Sequence, residues 1–379
     1  MLKKKWQRYT LLVLAVLTIV YLLGPCPATP VYTNTLPVVP GDAAALEQYI
    51  QQQESSHKVK PDNEARIVWC NPSEDGIANG LNDSIKKTLK EGEFVSGTVK
   101  VDPARPQQKA KTDYAIVYLH GFSASQEEGA PIHTNIAKEF GCNLYLSRLA
   151  EHGIDTADPM INLTPEKYWE SAKQALAIGK QLGKKVILMG TSTGGTNAIQ
   201  LAAEYPNDVA AVILMSPNVA IFDKASFILN NPWGLQIARL VKGGHNVIAA
   251  DTRPIYKQYW YSQYPLEAAV QLEELLETTM TKETFEKVKQ PALMLYYYRD
   301  DVHQDSVVSV PAMLTMFDEL GTPADQKLKE PIPNAGDHVI GSFIKSKDLL
   351  SVQTAIEAFM IKTLHMAKMQ TGSIIEMSK

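Results

Sequence analysis

Residues 186–205 read VILMGTSTGGTNAIQLAAEY, and the pattern of this stretch is the strongest indication of the fold. An apolar run is followed by a glycine-rich turn and then by a stretch of helical pattern. The turn has the form G-x-S-x-G, with Ser192 at its centre. Between a strand and a helix, such a turn holds its serine exposed at the carboxyl edge of a sheet. A short motif also arises by chance, so Ser192 is either a nucleophile or a small residue in a bend.

Composition bounds the classes of protein that this chain can belong to. The 379 residues are 45% hydrophobic and carry a net charge of about −4. This length allows one large α/β domain with an insertion and an extension. No domain-scale basic surface is implied, so nucleic acid is not expected as a partner. Cys26, Cys70 and Cys142 are too few for a disulfide framework or a zinc site, and either a Cys70–Cys142 bridge or two buried free thiols would fit.

The amino terminus has the pattern of an export signal. Four positive charges in MLKKKWQR precede the fifteen-residue apolar run TLLVLAVLTIVYLLG. The sequence Cys26-Pro27-Ala28 is a poor cleavage site, and Pro25 argues against a lipoprotein cysteine. We expect residues 1–30 to be a signal peptide or an uncleaved membrane anchor, with the body on the periplasmic or other extracytoplasmic side. A cytosolic protein with a buried first helix fits the lysine cluster badly.

Residues 31–110 form a tether and an N-terminal extension. The proline-rich PCPATPVYTNTLPVVP at 25–40 predicts an extended chain. DAAALEQYIQQQ predicts a helix, and ARIVWC and EFVSGTVKV are strand candidates.

From residue 111 onwards, apolar strands alternate with helices. Strand candidates are YAIVYL, CNLYLSRL, KVILMG, AAVILMSP, PALMLYYY and a weaker one before PNAGDH. The helix after Thr164 has Pro165 at its first position and Gly183 just past its end. SVQTAIEAFMIKTLHM predicts a closing helix. We predict an α/β core, 111–217 and 291–366, with a mostly parallel sheet covered by helices on both faces, and a tail at 367–379.

Residues 218–290 interrupt this alternation and predict a helical cap. An insertion after the carboxyl end of a strand overhangs the side of the sheet where sites form. Most of its aromatic residues should pack the cap onto the core, and one or two should line an apolar acyl or alcohol pocket. They are Phe222, Phe227, Trp233, Tyr256, Tyr259, Trp260, Tyr261 and Tyr264.

A serine nucleophile needs a base, and the base needs a carboxylate that orients it. Among the histidines after Ser192, His245 falls in the cap, His303 adjoins the acids and His365 belongs to the final helix pattern. His338, in the loop PNAGDHVIGS, is therefore the candidate base.

The candidate acids lie in the loop RDDVHQDS. Asp305-Ser306-Val307-Val308 turns directly from a carboxylate into an apolar segment, so Asp305 is preferred. Asp301 is the runner-up acid, and the remaining aspartates would be solvated loop charges.

An oxyanion formed by acyl attack needs two N–H donors. Thr193, the residue after the nucleophile, offers one of them. Phe122 in HGFSAS offers the other, because Gly121 lets the backbone approach closely. His120 is interpreted as a structural residue that fixes this turn.

The ordered motifs LHGFSAS, SRLAEHG, GTSTGG, DSVV and DHVIGS resemble those of the α/β-hydrolase superfamily. The resemblance is nearest to its branch of monoacylglycerol lipases, lysophospholipases and serine aminopeptidases, and it covers residues 112–365. It implies a Ser192–His338–Asp305 triad, a mobile cap and hydrolysis through an acyl-enzyme. The acid loop is longer than usual, and the N-terminal extension has no counterpart.

The leading hypothesis is a serine esterase acting on small or lipid-like acyl esters, with membrane association through the N-terminal segment. It needs no metal and no organic cofactor. A serine aminopeptidase is one rival, in which Glu127, Glu128 or Asp223 would bind a free amino group. A catalytically inactive binding module and a lyase on the same scaffold are the other rivals.

Overall fold

A seven-stranded, mostly parallel sheet organises the protein. The computed structural model describes residues 2–70 and 109–369. The strand order is β1-β3-β2-β4-β5-β8-β9, and only β1 is antiparallel to its neighbour, β3. The strands are β1 (Arg66–Val68), β2 (Thr112–Leu119), β3 (Asn143–Leu146), β4 (Gly183–Thr191), β5 (Val209–Met215), β6 (Asn246–Ile248), β7 (Gln263–Pro265), β8 (Ala292–Tyr296) and β9 (Lys327–Pro331). The expected mostly parallel sheet is confirmed.

Helices cover both faces of this sheet. The helices are α1 (Leu2–Leu22), α2 (Ala43–Ser55), α3 (Ile132–Glu139), α4 (Pro165–Leu182), α5 (Thr193–Glu204), α6 (Gly234–Lys242), α7 (Pro254–Tyr259), α8 (Leu266–Thr279), α9 (Lys282–Lys287), α10 (Val310–Glu319) and α11 (Leu349–Lys362). One buried cluster joins one face of the sheet to α4, α5 and α8–α10, and a second joins the other face to α3 and α11. Neighbouring residues of β2 alternate between them, because successive side chains of a strand point to opposite faces.

The connection from α4 to β4 has no loop. Thr164 Oγ1 accepts the backbone N–H of Lys167 at 3.3 Å, as expected of an N-cap, and Pro165 opens the helix. Gly183 ends the helix and is also the first residue of β4, in an extended conformation. A Cβ on Gly183 would lie 2.3 Å from the backbone nitrogen of Ala115, so only glycine allows this approach to β2.

The segment 218–290 holds more than the helices that its sequence predicts. The short strands β6 and β7 form a separate antiparallel ribbon, with Val247 opposite Tyr264. Ala268 and Leu275 of α8 and Phe285 of α9 belong to the same buried cluster as α4 and α5. The last two helices of the segment therefore pack against α4 and α5, the helices that cover this face of the sheet.

The N-terminal segment runs across α4. The indole N–H of Trp169 donates to the Thr33 carbonyl at 2.8 Å, and Lys173 Nζ donates to Thr33 Oγ1 at 2.6 Å. Apolar side chains of α1 such as Leu11 and Leu17 are exposed. Within the described ranges no helix combines the length and apolarity that crossing a membrane requires.

The structure also bears on a predicted strand, on two cysteines and on the end of the closing helix. Predicted strand 93–101 lies outside the described residues. Cys70 and Cys142 are free thiols, both buried, as one of the two interpretations held. The closing helix ends at Lys362, so His365 lies beyond it and not within it as expected.

Candidate active site

Ser192 occupies a strained turn at the carboxyl end of β4. Its φ is 53° and its ψ is −123°, and it is the N-cap of α5. Residues other than glycine rarely adopt a positive φ, and such backbone strain persists only where the surrounding structure imposes it. The Ser192 N–H donates to the Met215 carbonyl on β5 at 3.0 Å, and its own carbonyl accepts the N–H of Asn218 at 2.9 Å. The strand–turn–helix context that the motif requires is therefore present.

The glycines of the turn allow three elements to meet. A Cβ on Gly194 would lie 2.0 Å from the Leu119 carbonyl oxygen at the end of β2. A Cβ on Gly190 would lie 2.5 Å from the carbonyl oxygen of Gly194. Both contacts are shorter than real Cβ atoms allow, so α5 can start this close to β2 and β4 only with glycine at these positions.

His338 and Asp305 form a buried pair. His338 Nδ1 donates to Asp305 Oδ2 at 2.6 Å. The other carboxylate oxygen, Oδ1, accepts the N–H groups of Val307 at 2.9 Å and Val308 at 3.0 Å. Asp305 is therefore held by its own loop, and it fixes the imidazole with its second nitrogen turned away.

The second nitrogen, His338 Nε2, is buried and has no hydrogen-bond partner among the described residues. Because Nδ1 carries the proton given to Asp305, Nε2 is the atom that can accept one. Burial lowers the pKa of His338, but the charge and hydrogen bond of Asp305, with smaller effects of Glu128 and Asp337, raise it above its usual value. The imidazole of His338 therefore has a buried nitrogen that can accept a proton.

Asp301, the runner-up acid, lies elsewhere. It is exposed and its Oδ1 accepts the hydroxyl of Tyr298 at 2.8 Å. The structure brings Asp305, and not Asp301, to His338. Asp300 pairs with His303 on the surface, Nδ1 to Oδ1 at 2.9 Å. The remaining aspartates are loop charges, as expected.

The two expected oxyanion donors adjoin Ser192. Thr193 begins α5, so its N–H is among the first four of the helix, which have no acceptor within the helix. The turn after β2 comes so close that a Cβ on Gly121 would lie 2.8 Å from Ser192 Cβ. Phe122, the next residue, packs edge-on against His152 and Tyr264, with ring centroids 5.8 and 5.4 Å apart.

Two buried histidines hold this turn in place. His120 Nδ1 donates to the Gly121 carbonyl at 2.9 Å, and Nε2 accepts the Leu149 N–H at 3.0 Å. His152 Nε2 accepts the Ser123 N–H at 3.0 Å. Burial lowers the pKa of His120 to about 4 and that of His152 well below its usual value, so both are neutral. The structure supports a structural role for His120; sequence reasoning missed the role of His152.

Glu128 is a buried carboxyl that adjoins the turn between β2 and Ser192. A Cβ on Gly121 would lie 2.8 Å from both of its oxygens as well as from Ser192 Cβ. The Gly121 N–H donates to Glu128 Oε2 at 2.5 Å. Burial raises the pKa of Glu128 to about 7, against the lowering effects of Gly121, His338 and Trp260. No pattern in the sequence distinguished Glu128 from its neighbour Glu127, which is half-buried, or from the exposed Asp223.

Two aromatic side chains of segment 218–290 are buried beside the turn that follows β2. Trp260 and Tyr261 are buried, and Tyr261 O–H accepts the Ile154 N–H at 2.7 Å. The backbone N–H of Tyr261 donates to the Ser123 carbonyl at 2.8 Å, next to the oxyanion turn. Phe222 and Phe227, by contrast, are exposed. Ser192 is 6% and His338 8% exposed.

Within residues 2–70 and 109–369, no group of three or more His, Cys, Asp or Glu side chains is placed to hold a metal ion.

Comparison with known proteins gives a family match over part of the chain and similar solved structures. Residues 166–302 match the model of the serine aminopeptidase family, S33. No curated protein matches the chain. A structure reported for the metagenome-derived lipolytic enzymes LipS and LipT superposes with a TM-score of 0.54 at 17% identity, over 67% of this chain and 98% of that one.

Two further solved structures are similar at lower scores. The monoacylglycerol lipase of Paleococcus ferrophilus has a TM-score of 0.49 and 13% identity, over 67% of this chain and 96% of its own. Est1E of Butyrivibrio proteoclasticus with bound ferulic acid has a TM-score of 0.47 and 17% identity, over 68% of this chain and 92% of its own.

The sheet order, the LipS and LipT superposition and the family match agree. The chain has an α/β-hydrolase fold, and a part of it, residues 166–302, matches the serine aminopeptidase family model. The matched family model supports a hydrolase.

Proposed function

We propose that this protein is a serine hydrolase that cleaves carboxylic esters, with Ser192 as nucleophile, His338 as base and Asp305 as the acid that orients it. One observation carries the proposal. A buried carboxylate fixes an imidazole whose second nitrogen is buried and unpartnered among the described residues, and the same structure holds Ser192 on a strained elbow after β4. In a structure without substrate, the hydrogen bond between nucleophile and base is often long and shortens in the substrate complex.

Acylation follows from these positions. Ser192 Oγ attacks the ester carbonyl carbon while its proton passes to His338 Nε2, and the carbonyl electrons move to oxygen. The N–H groups of Phe122 and Thr193 stabilise that oxyanion. When the intermediate collapses, the C–O bond to the alcohol breaks and the proton on Nε2 goes to the departing alkoxide. Asp305 stabilises the imidazolium and is not itself protonated.

Deacylation repeats the same steps with water. His338 Nε2 takes a proton from water, and the hydroxide formed attacks the acyl carbon of the acyl-enzyme. Collapse of the second intermediate returns the proton to Ser192 Oγ and releases the carboxylic acid. Each cycle consumes one ester and one water, and the enzyme returns to its starting state.

We infer small or lipid-like acyl esters as the substrate class. The cap contributes aromatic side chains to the site, and Tyr264 packs directly on Phe122. The structural neighbour of highest score above comes from work on lipolytic enzymes, which is in keeping with acyl esters.

The test is labelling of the full chain by a fluorophosphonate probe, with peptide mapping and a series of p-nitrophenyl acyl esters. We expect an adduct on Ser192 and turnover that depends on acyl length. Ser192→Ala should lose labelling and reduce kcat by about 10⁶-fold without changing the fold. Turnover that survives in Ser192→Ala would show that the elbow is only a bend.

Amide hydrolysis on the same triad is the second candidate, because the matched family is described as serine aminopeptidases. Aminoacyl p-nitroanilides with free and with acetylated amino groups discriminate the two functions. Faster turnover of the free-amine anilides than of the p-nitrophenyl esters would favour the aminopeptidase.

We propose further that the chain is exported. Support comes from the cluster Lys3–Lys5 and Arg8 ahead of an apolar run. An alkaline phosphatase fusion after residue 40 should be active, and immunoblotting of membrane and soluble fractions will show whether the segment is cleaved or retained. An inactive fusion would contradict export.

A further inference from the structure

Glu128 stands where four segments of the protein meet. Its Oε2 accepts the N–H of Gly121, and a Cβ on Gly121 would lie 2.8 Å from the Glu128 oxygens and 2.8 Å from Ser192 Cβ, so the carboxyl and Ser192 both adjoin this glycine. The indole N–H of Trp260, from the cap, and His338, from the loop after β9, both stabilise its ionised form. Glu128 is 2% exposed, and the proposed triad of Ser192, His338 and Asp305 does not include it.

We propose that Glu128 is a positioning residue of this site: its carboxylate holds the Gly121–Phe122 turn and acts, beside Asp305, as a second negative charge on the imidazolium of His338. The proposal rests on the proposed hydrolysis at Ser192 and adds a residue to it. Triad acids normally stabilise the imidazolium alone. In the proposed arrangement two buried carboxylates, Asp305 at Nδ1 and Glu128 through its charge, stabilise one imidazolium.

The hydrogen bond from Gly121 explains the positioning. Fixing the His120–Gly121 peptide also fixes the direction of the next amide, that of Phe122. His120 and His152 hold the far side of the same turn. Pre-set donors stabilise an oxyanion because they need no rearrangement during the reaction.

The charges around His338 can be named from each element packed against it. Asp305 touches Nδ1, Glu128 lies beside Gly121, and Asp337 is its neighbour in the chain. Asp337 is paired with Lys345, Nζ to Oδ2 at 3.2 Å, which offsets its charge. Burial raises the pKa values of the nearby phenols, so they are neutral at the pH of interest; these phenols are Tyr118, Tyr168 and Tyr256.

A receptor for a substrate amine is the competing interpretation of Glu128. An ammonium would need an open carboxylate, whereas the oxygens of Glu128 already face the Gly121 N–H and the Trp260 indole. The buried position and these two donors favour the positioning role.

The experiment is titration of His338 by NMR in the full chain labelled at histidine Cε1, with the signal assigned by His338→Gln. Glu128→Gln keeps the shape and an acceptor for the Gly121 N–H but removes the charge. We expect the pKa of His338 to fall in Glu128→Gln, because the imidazolium loses a neighbouring anion. The acid limb of kcat/KM should move to lower pH, and kcat should fall roughly tenfold, the usual effect of losing one charge-assisted hydrogen bond.

Glu127→Gln is the matched control, since it removes the same charge one residue away, where the side chain faces Arg66 and Asp62. It should leave the His338 titration unchanged. Trp260→Phe keeps an aromatic ring and removes the indole donor, so it should change the pKa of Glu128 without removing its charge. It serves as the second variant if Glu128→Gln fails to fold.

The outcomes separate this proposal from the proposed function. An unmoved His338 titration in folded Glu128→Gln overturns the positioning role, whether or not esters are cleaved. Loss of activity toward free-amine substrates alone, with an unmoved pH profile, overturns it in favour of amine binding. A lowered pKa in a protein that no fluorophosphonate labels supports the charge relation and contradicts only the proposed hydrolysis.

Discussion

Within residues 2–70 and 109–369, two His–Asp pairs are nearly equal in length and opposite in surroundings. His338 Nδ1 lies 2.6 Å from Asp305, and the two side chains are 7% and 0% exposed. His303 Nδ1 lies 2.9 Å from Asp300, at 60% and 52% exposure. One pair is enclosed between the sheet edge and the cap, and the other is in water on the loop after β8.

The difference shows that a contact distance does not define a site. In water, an ion pair is screened and contributes little. Inside, the same pair acts at low effective dielectric, so the carboxylate raises the pKa of His338 against the effect of burial. The buried pair also has an Nε2 without a hydrogen-bond partner among the described residues, which the proposed mechanism assigns to Ser192, whereas the exposed His303 has no such role in the proposal. The following substitutions test this contrast.

The base gives the largest expected contrast. His338→Gln should lower kcat for p-nitrophenyl esters by about 10⁵–10⁶-fold, because a serine without its base is hardly nucleophilic. His303→Gln should stay within about twofold of wild type, because it changes only a surface pair. Steady-state kinetics at one pH measures both. Comparable losses in the two variants would contradict the assignment of the base.

The acids come next. Asp305→Asn should lower kcat by about 10⁴-fold, since the amide favours the wrong imidazole tautomer and cannot stabilise the imidazolium. Asp300→Asn and Asp301→Asn should have little effect on kcat. A crippled Asp301→Asn enzyme beside an active Asp305→Asn enzyme would mean that the acid loop rearranges when substrate binds.

The smallest expected effect is on stability against pH. The pKa of His338 is raised in the folded state, so its pairing stabilises the fold fully below the unfolded value, about 6.5, and this contribution is lost as pH rises through the folded value. His338→Gln should therefore cost most stability in mild acid and less at alkaline pH. Urea unfolding from pH 5 to 9 measures the difference. For His303→Gln we expect a small change in stability at every pH, because the His303–Asp300 pair is exposed. A larger change would contradict the contrast between the buried and the exposed pair.

Sequence reasoning was most successful where structure is local. The alternation of apolar strands and helices, the Thr164 cap and the turn at Ser192 are each encoded within a few residues, and the structure contains them. The ribbon of β6 and β7 was missed because three-residue strands have no periodicity to detect. His365 was placed in a helix because its apolar pattern continues past Lys362, where the helix ends.

Site residues follow the same division. Ser192 and His338 could be proposed from motifs and from the elimination of other histidines. The burial of Glu128 could not, because Glu127 precedes it with the same chemistry, and only packing against Gly121 and Trp260 separates them. The contact of Tyr264 with Phe122 is likewise a product of how the cap folds back.

By itself, the sequence determined the α/β alternation, the strained elbow and the order of serine, acid and histidine along the chain, because these depend on neighbouring residues. Only the tertiary structure decided which aspartate meets His338, which glutamate adjoins Gly121 and which aromatics of the cap are buried. Those choices depend on burial, since the desolvation that changes a pKa or strengthens a charge arises only when distant segments exclude water together.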